Sequence, residues 1–165
     1  MLWAVFVCAF LLGFLYYMLK NRLAIYWPSS GKMVDVIEGL AGVKKGDVVY
    51  DLGSGDGRIV ERLSRKAKKC VGVEHNNLLV SYSKKKLRGL KNVKIIHGNI
   101  FDQDLSDANV IVAYLSRPLI GALEKKIIMD CKKGTRIVLV GYKFSKLKMA
   151  KERKRLWIRI RLYLN

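Results

Sequence analysis

Val48-Val-Tyr-Asp-Leu-Gly-Ser-Gly-Asp-Gly-Arg58 decides the fold of this chain. A β-branched run ends in an acid, three glycines follow at alternate positions, and a helix-compatible segment, Arg58 to Ala67, begins. Gly53, Gly55 and Gly57 lack a Cβ, so the backbone can turn sharply there and approach a ligand closely. An α/β protein builds its nucleotide-like cofactor site at such a strand end.

Outward from that stretch, strands and helices alternate. Helical spacing of Met33, Val36, Ile37 and Leu40 predicts a helix over Lys32 to Leu40. Further strands are expected at Val48 to Leu52, Cys70 to Glu74, Val93 to Ile96, Asn109 to Tyr114 and Arg136 to Gly141. Helices are expected at Asn77 to Leu87 and Leu119 to Cys131. The run at Asn109 to Tyr114 is nearly all apolar, as suits a central parallel strand. The alternation predicts a doubly wound, mostly parallel Rossmann-like sheet. Leu156 to Leu164 reads as a last strand, with Ile158, Ile160, Leu162 and Leu164 on one face. Trp157, Arg159, Arg161 and Tyr163 fall on the other. If no further strand follows, that strand is expected to be an edge, its arginines opposing edge-to-edge pairing.

The glycine loop discriminates between cofactors. A dinucleotide fingerprint runs G-x-G-x-x-G, whereas this one runs G-x-G-x-G with Arg58 in the third glycine's place. Asp51 and Asp56 would repel a pyrophosphate. They suit a ligand with a cationic end, and S-adenosylmethionine carries an ammonium and a sulfonium and no phosphate. Glu74 ends the next strand about 20 residues after the loop begins, where an acid meets ribose hydroxyls. The plainer reading makes Asp51 and Asp56 turn and cap residues and Glu74 a surface acid.

With these residues the sequence resembles the class I S-adenosylmethionine-dependent methyltransferases. It is more similar still to the small protein-lysine methyltransferases of archaea and their mitochondrial relatives, which modify the ATP synthase c-subunit or the adenine nucleotide carrier. Tyr26-Trp-Pro-Ser-Ser30, Asp51-Leu-Gly-Ser-Gly-Asp-Gly-Arg58, Gly72-Val-Glu-His-Asn76 and Gly98-Asn-Ile-Phe101 with Leu105-Ser-Asp-Ala-Asn-Val-Ile-Val112 carry the match. The resemblance implies strand order 3-2-1-4-5 with an antiparallel C-terminal strand beside strand five. It implies that Asp51 and the loop Gly53-Ser54-Gly55 through Gly57 face the methionine part. Glu74 would hold the ribose, and Asn99 and Ile100 would border the adenine. His75 stands where the group has an aliphatic residue against the adenine. Tyr114, Leu115 and Ser116 would line the methyl-transfer pocket, with Tyr114 and Ser116 orienting the acceptor nitrogen. One further C-terminal strand of the family is expected to be missing.

Leu2 to Leu19 contains no charged residue. As a helix it would extend roughly 27 Å, close to a bilayer's hydrocarbon thickness. Trp3 near one end, with Tyr16, Tyr17, Tyr26 and Trp27 near the other, would sit as interface anchors. A signal peptide fits less well, for want of a basic start and a small-residue cleavage site. Residues 1–22 are therefore expected to form a transmembrane anchor and residues 23–165 the methyltransferase domain. Lys20 and Arg22 would keep that domain on the cytoplasmic side.

The formal net charge of the 165 residues is +19, and no Lys or Arg precedes Lys20. Such a field attracts anionic partners: an anionic membrane surface or, less well supported, nucleic acid. The three cysteines, Cys8, Cys70 and Cys131, have no zinc spacing and no even count for a disulfide framework. The Asn-Pro-Pro-Tyr element of base and glutamine N-methyltransferases is replaced by Tyr114-Leu-Ser-Arg-Pro118. The expected enzyme methylates a lysine amine of a protein, itself membrane-associated. RNA, a small amine or a lipid headgroup is the alternative acceptor, and a non-catalytic basic binding module the alternative class.

Overall fold

The computed structural model describes residues 2–20 and 29–165. Tyr26-Trp-Pro28 and the junction at residues 21–28 lie outside them.

The apolar N-terminal stretch is a helix, α1 (Leu2–Lys20). Its described side chains run from residue 3 to residue 14 and are exposed. Among the described residues no helix is long and apolar enough to cross a membrane. The expected transmembrane anchor is therefore corrected, and with it the single-pass, cytoplasmic-side placement inferred from it. Tyr16, Tyr17, Tyr26 and Trp27, expected as anchors, have side chains outside the described residues.

The remaining elements are α2 (Gly31–Ala41), β1 (Val48–Leu52), α3 (Arg58–Ser64), β2 (Lys69–Glu74), α4 (Asn77–Leu87), β3 (Val93–His97), β4 (Val110–Ala113), α5 (Ile120–Asp130), β5 (Arg136–Val140), β6 (Lys148–Arg155) and β7 (Ile158–Leu164). Short 3-10 turns lie at Ile100–Asp102 and Arg117–Leu119. One seven-stranded sheet has the order β3-β2-β1-β4-β5-β7-β6. The first five strands are parallel, and β7 runs antiparallel to both β5 and β6.

The parallel strands bury both faces by period-two alternation. On one face Val49, Val110, Val112, Val138 and Val140 meet apolar residues of α2, α3 and α4. On the other, Tyr50, Ile111, Ile137 and Leu139 meet Leu123 and Ile127 of α5. Helix α2 starts at Ser30, whose Oγ accepts from Met33 N at 3.4 Å, and ends at Gly42 in the left-handed region, φ 51°. Arg136 at the start of β5 bonds the carbonyls of Ala41 and Gly42 and the Asp47 carboxylate. That contact ties α2 to the entry of β1.

Two expectations about the C-terminus change. An unforeseen strand, β6, pairs with β7 from Lys148↔Leu164 to Arg155↔Ile158, so β6 and not β7 is the edge. The sheet thus has the strand thought missing, placed before the last one. Strand β7 is covered on both faces: Ile160 packs with the helices α2 to α4, while Tyr163 and Arg161 are buried on the opposite side.

Candidate active site

The site is built at the carboxyl end of β1, where β2 and β4 flank it. Asp51 pairs in register with Gly72 of β2 and Val112 of β4. It is 2% exposed, and its Oδ2 makes no hydrogen bond among the described residues. Burial, then the nearby charges of Glu74 and Asp56, push its carboxyl up to about 8.

The loop after Asp51 takes its shape from three left-handed glycines, with φ of 84° at Gly53, 55° at Gly55 and 76° at Gly57. Such angles are strained for residues carrying a Cβ. Gly53 N and Ser54 N both donate to Val73 O, at 2.8 and 3.0 Å, which locks the loop to the end of β2. A Cβ on Gly53 would meet Leu115 Cδ2 at 2.8 Å, so Leu115 after β4 packs directly on the loop. A Cβ on Gly72 would meet Ser54 Oγ at the same distance, and that hydroxyl is buried with no partner among the described residues.

Glu74 stands where β2 ends. Its Oε2 accepts from Gly55 N at 2.9 Å, and its Oε1 accepts from His75 N at 2.9 Å and Asn76 N at 2.8 Å. A carboxylate has about four acceptor positions, so these three bonds leave room for one more donor. His75 and His97 are exposed neighbours, with ring centroids 6.3 Å apart. His97 Nε2 donates to His75 O at 2.9 Å, a role in which it orients the β2 end. Asn99 caps its 3-10 turn, Oδ1 accepting from Phe101 N at 3.1 Å, and Ile100 is buried behind it.

Asp56 behaves otherwise than expected. Arg58 grips it with two charged contacts, Nε to Oδ1 at 2.9 Å and Nη2 to Oδ2 at 2.7 Å. Burial would raise the Asp56 carboxyl, but the hydrogen bonds and charge of Arg58 hold it below its ordinary range. Its charge is thus largely answered within the loop by Arg58, as the plainer reading of Asp56 as a turn residue would have it. Arg58 also reaches back, Nη1 donating to Ser29 O at 2.7 Å, and so ties the segment before α2 to the glycine loop.

Tyr114, Leu115 and Ser116 follow β4 on the same rim. Tyr114 is half-buried, its phenol raised by burial and by neighbouring Tyr142. Its ring lies 3.8 Å from the Cβ position of Gly141. Ser116 is exposed. Beyond them opens a cleft of about 510 Å³, lined by Arg117, Gly121, Gly141, Tyr142 and Lys143 among others.

The chain from Gly141 to Leu147 is held by buried groups that the sequence reading did not single out. Glu124, 3% exposed, accepts from Ser145 Oγ, Lys146 N and Leu147 N at 2.8, 2.6 and 2.9 Å. Arg161 Nη1 donates to Gly141 O and Tyr142 O, and Phe144 N donates to the Tyr163 hydroxyl at 3.1 Å. Glu124 is a lone charge on the apolar face of α5, which the sequence hinted at, whereas Arg161 and Tyr163 were expected on the outward face of an edge strand and are buried instead.

Cys70 and Cys131 are buried, their thiols pushed up to about 12 and about 11 by desolvation. Both are inert at neutral pH.

Comparison with known proteins places this geometry in a family. The family model of the ANTKMT methyltransferase domain matches residues 51–151. A protein-lysine N-methyltransferase of Saccharolobus islandicus is 36% identical over 120 residues, 68% of this chain and 73% of that one. A lysine N-methyltransferase of the ATP synthase c-subunit from Caenorhabditis elegans is 41% identical over 87 residues, 51% of this chain and 45% of that one. Among solved structures, an RNA methyltransferase from Salinibacter ruber in complex with S-adenosyl-L-homocysteine superposes with a TM-score of 0.79. It is 28% identical, and the match covers 84% of this chain and 93% of that one. A glycine loop closed onto β2, with a buried acid beneath it, thus lies within a stretch whose match defines the family: the chain belongs to the ANTKMT methyltransferase domain family and is an S-adenosylmethionine-dependent methyltransferase.

Proposed function

We propose that the chain methylates the side-chain amine of a protein lysine, with Asp51, Gly53, Ser54, Gly55, Gly57, Glu74, His75, Asn99 and Ile100 binding the cofactor and Tyr114 and Ser116 orienting the acceptor. The observation that carries this reading is the wall beside the glycine loop. Leu115 packs on Gly53, and half-buried Tyr114 adjoins it, with no acid, amide or histidine in Tyr114-Leu-Ser116.

The residues present fit the cofactor. Asp51 has a buried carboxylate oxygen, and Ser54 a buried hydroxyl, with no partner among the described residues. An ammonium set against Asp51 would let it ionise, and the fourth acceptor position of Glu74 suits a ribose hydroxyl. S-adenosylmethionine supplies a methyl group on a sulfonium, already activated for displacement. The protein is left with positioning and with the acceptor's proton. An apolar wall favours the neutral amine, because burial disfavours a charge. Tyr114, raised by burial, keeps its proton at neutral pH, so its oxygen can accept from an amine N–H and aim the nitrogen lone pair.

The relatives named for lysine methylation support a protein acceptor. The positive charge and the RNA methyltransferase neighbour favour RNA as the second reading. Radiolabelled methyl transfer into an extract, followed by hydrolysis, separates the two. Label in methyl-lysine is the expected result; label confined to nucleotides would overturn the lysine reading. Asp51→Ala and Glu74→Ala should each weaken cofactor binding by calorimetry, by about tenfold or more. Normal binding by both would refute the assignment of these acids.

A further inference from the structure

We infer that the β6–β7 hairpin tip is a docking platform for an acidic surface of the methyl-acceptor protein, so that the target lysine lies among carboxylates. This rests on the lysine reading above.

Position comes first. Strand β7 runs antiparallel to β5, with Val140 opposite Ile160. The pairing continues as Gly141 N donates to Arg159 O at 2.8 Å. The turn at Leu156 and Trp157 therefore projects beyond the carboxyl ends of the parallel strands, on the side of Tyr114. Tyr114 stands level with Ile160, two strand spacings across, and Trp157 lies three residues further along. Strand geometry then puts Trp157 about 14 Å from Tyr114, a reach of roughly four extended residues.

The tip's chemistry comes second. Leu156 is 65% and Trp157 78% exposed, and Leu156 holds φ 52° to make the turn. An apolar pair presented so fully is flanked by Arg153, Lys154 and Arg159, all exposed. The Nε of Arg155 is already desolvated and makes no hydrogen bond among the described residues. Arg117 and Lys143 extend the positive rim toward the cleft. The nearby acids are engaged: Glu152 pairs with Arg159 and Arg161, and Glu124 is buried in its own loop contacts.

Charge complementarity selects the partner. A lysine is itself a cation, and a protein of net charge +19 repels it. An acceptor lysine reaches this rim only if its surroundings reverse that repulsion. Carboxylates about four residues from the lysine would meet the tip's guanidinium and ammonium groups, while Trp157 covers an apolar patch between them.

The test uses the full chain and two fluorescein-labelled 16-residue peptides with one central lysine, flanked by glutamates in one and by glutamines in the other. Fluorescence anisotropy should show the glutamate peptide binding at least about tenfold more tightly, with affinity falling steeply as salt rises. Trp157→Ala and Lys154→Glu should each weaken it about tenfold, with S-adenosylmethionine affinity, titrated in the same samples, unchanged. Equal binding of the two peptides, or variants that bind like the wild type, overturns the proposal. So does an oligo-uridine RNA that binds more tightly than the glutamate peptide and is released by the same substitutions. If the wild type binds the glutamate peptide at the tip but transfers no methyl to lysine, the lysine reading fails and the docking result stands.

Discussion

Asp51 is a carboxyl group buried beneath a loop, with one oxygen unpaired among the described residues and an ordinary range it cannot keep. Pushed up to about 8, it is mostly protonated at pH 7 without ligand. The raised value has a stability consequence. The folded state binds the proton more tightly than the unfolded chain, so this residue's contribution is full below pH ~4 and is lost as pH rises through about 8. Asp51→Asn should accordingly raise the melting temperature of the ligand-free protein at pH 8, by roughly 5 °C, while weakening cofactor binding by about tenfold or more. An ammonium placed against Asp51 reverses the preference and expels its proton. Cofactor binding at pH 7 should therefore release a proton, and affinity should rise with pH until about 8. Calorimetry in buffers of different ionisation enthalpy measures this directly, and the same binding heat in every buffer would contradict it. Asp51 was legible in the sequence because an acid ending a β-branched run has few other uses. Asp56 was not, because its partner Arg58 lies two residues on, across a left-handed Gly57, and only the folded loop brings the two together.

At the scale of elements, the chain from Gly141 to Leu147 borders both Tyr114 and the cleft, yet it contains no helix or strand. Its order comes from Glu124, Arg161 and Tyr163. Burial raises the Glu124 carboxyl, but three hydrogen bonds from the loop outweigh that and hold it below its ordinary range. A depressed folded value means stability present at neutral pH and lost as pH falls through that value. Glu124→Ala leaves two backbone donors unpaired, at a cost of about 2 kcal/mol, and lets the loop drift from Tyr114. Reduced thermal stability at pH 7, shrinking relative to wild type toward pH 4, is the expected outcome; an unchanged melting temperature would count against it. Elements differed in how far the sequence revealed them. Strands β1 to β5 are apolar runs between helical segments and read plainly. Strand β6, Lys148-Met-Ala-Lys-Glu-Arg-Lys-Arg155, has neither alternation nor β-branching. It is a strand because β7 offers it a free edge to pair with, a tertiary cause that local pattern does not carry.

For the whole molecule, the position of β6 gives its lysines a task separate from docking. The parallel sheet is closed on the β5 side by β7, and β7 by β6. Among the described residues, the last unpaired backbone row on that side thus belongs to a strand with exposed Lys148, Lys151 and Lys154. An open edge invites pairing with a second copy, and lysines on it oppose that by repulsion and by the cost of desolvating them. A register shift between Met149 and Lys151 breaks the ladder's regularity and discourages pairing further. The net charge of +19 adds a general repulsion between copies, which salt weakens. Lys148→Thr with Lys151→Thr removes two of these charges and favours extended backbone, while touching nothing buried. The double variant should melt within about 2 °C of the wild type yet form larger species as concentration and salt increase. Light scattering across a concentration series at low and high salt reads this out. A variant as monodisperse as the wild type throughout would mean that the edge is guarded by strand twist or by the bulge alone.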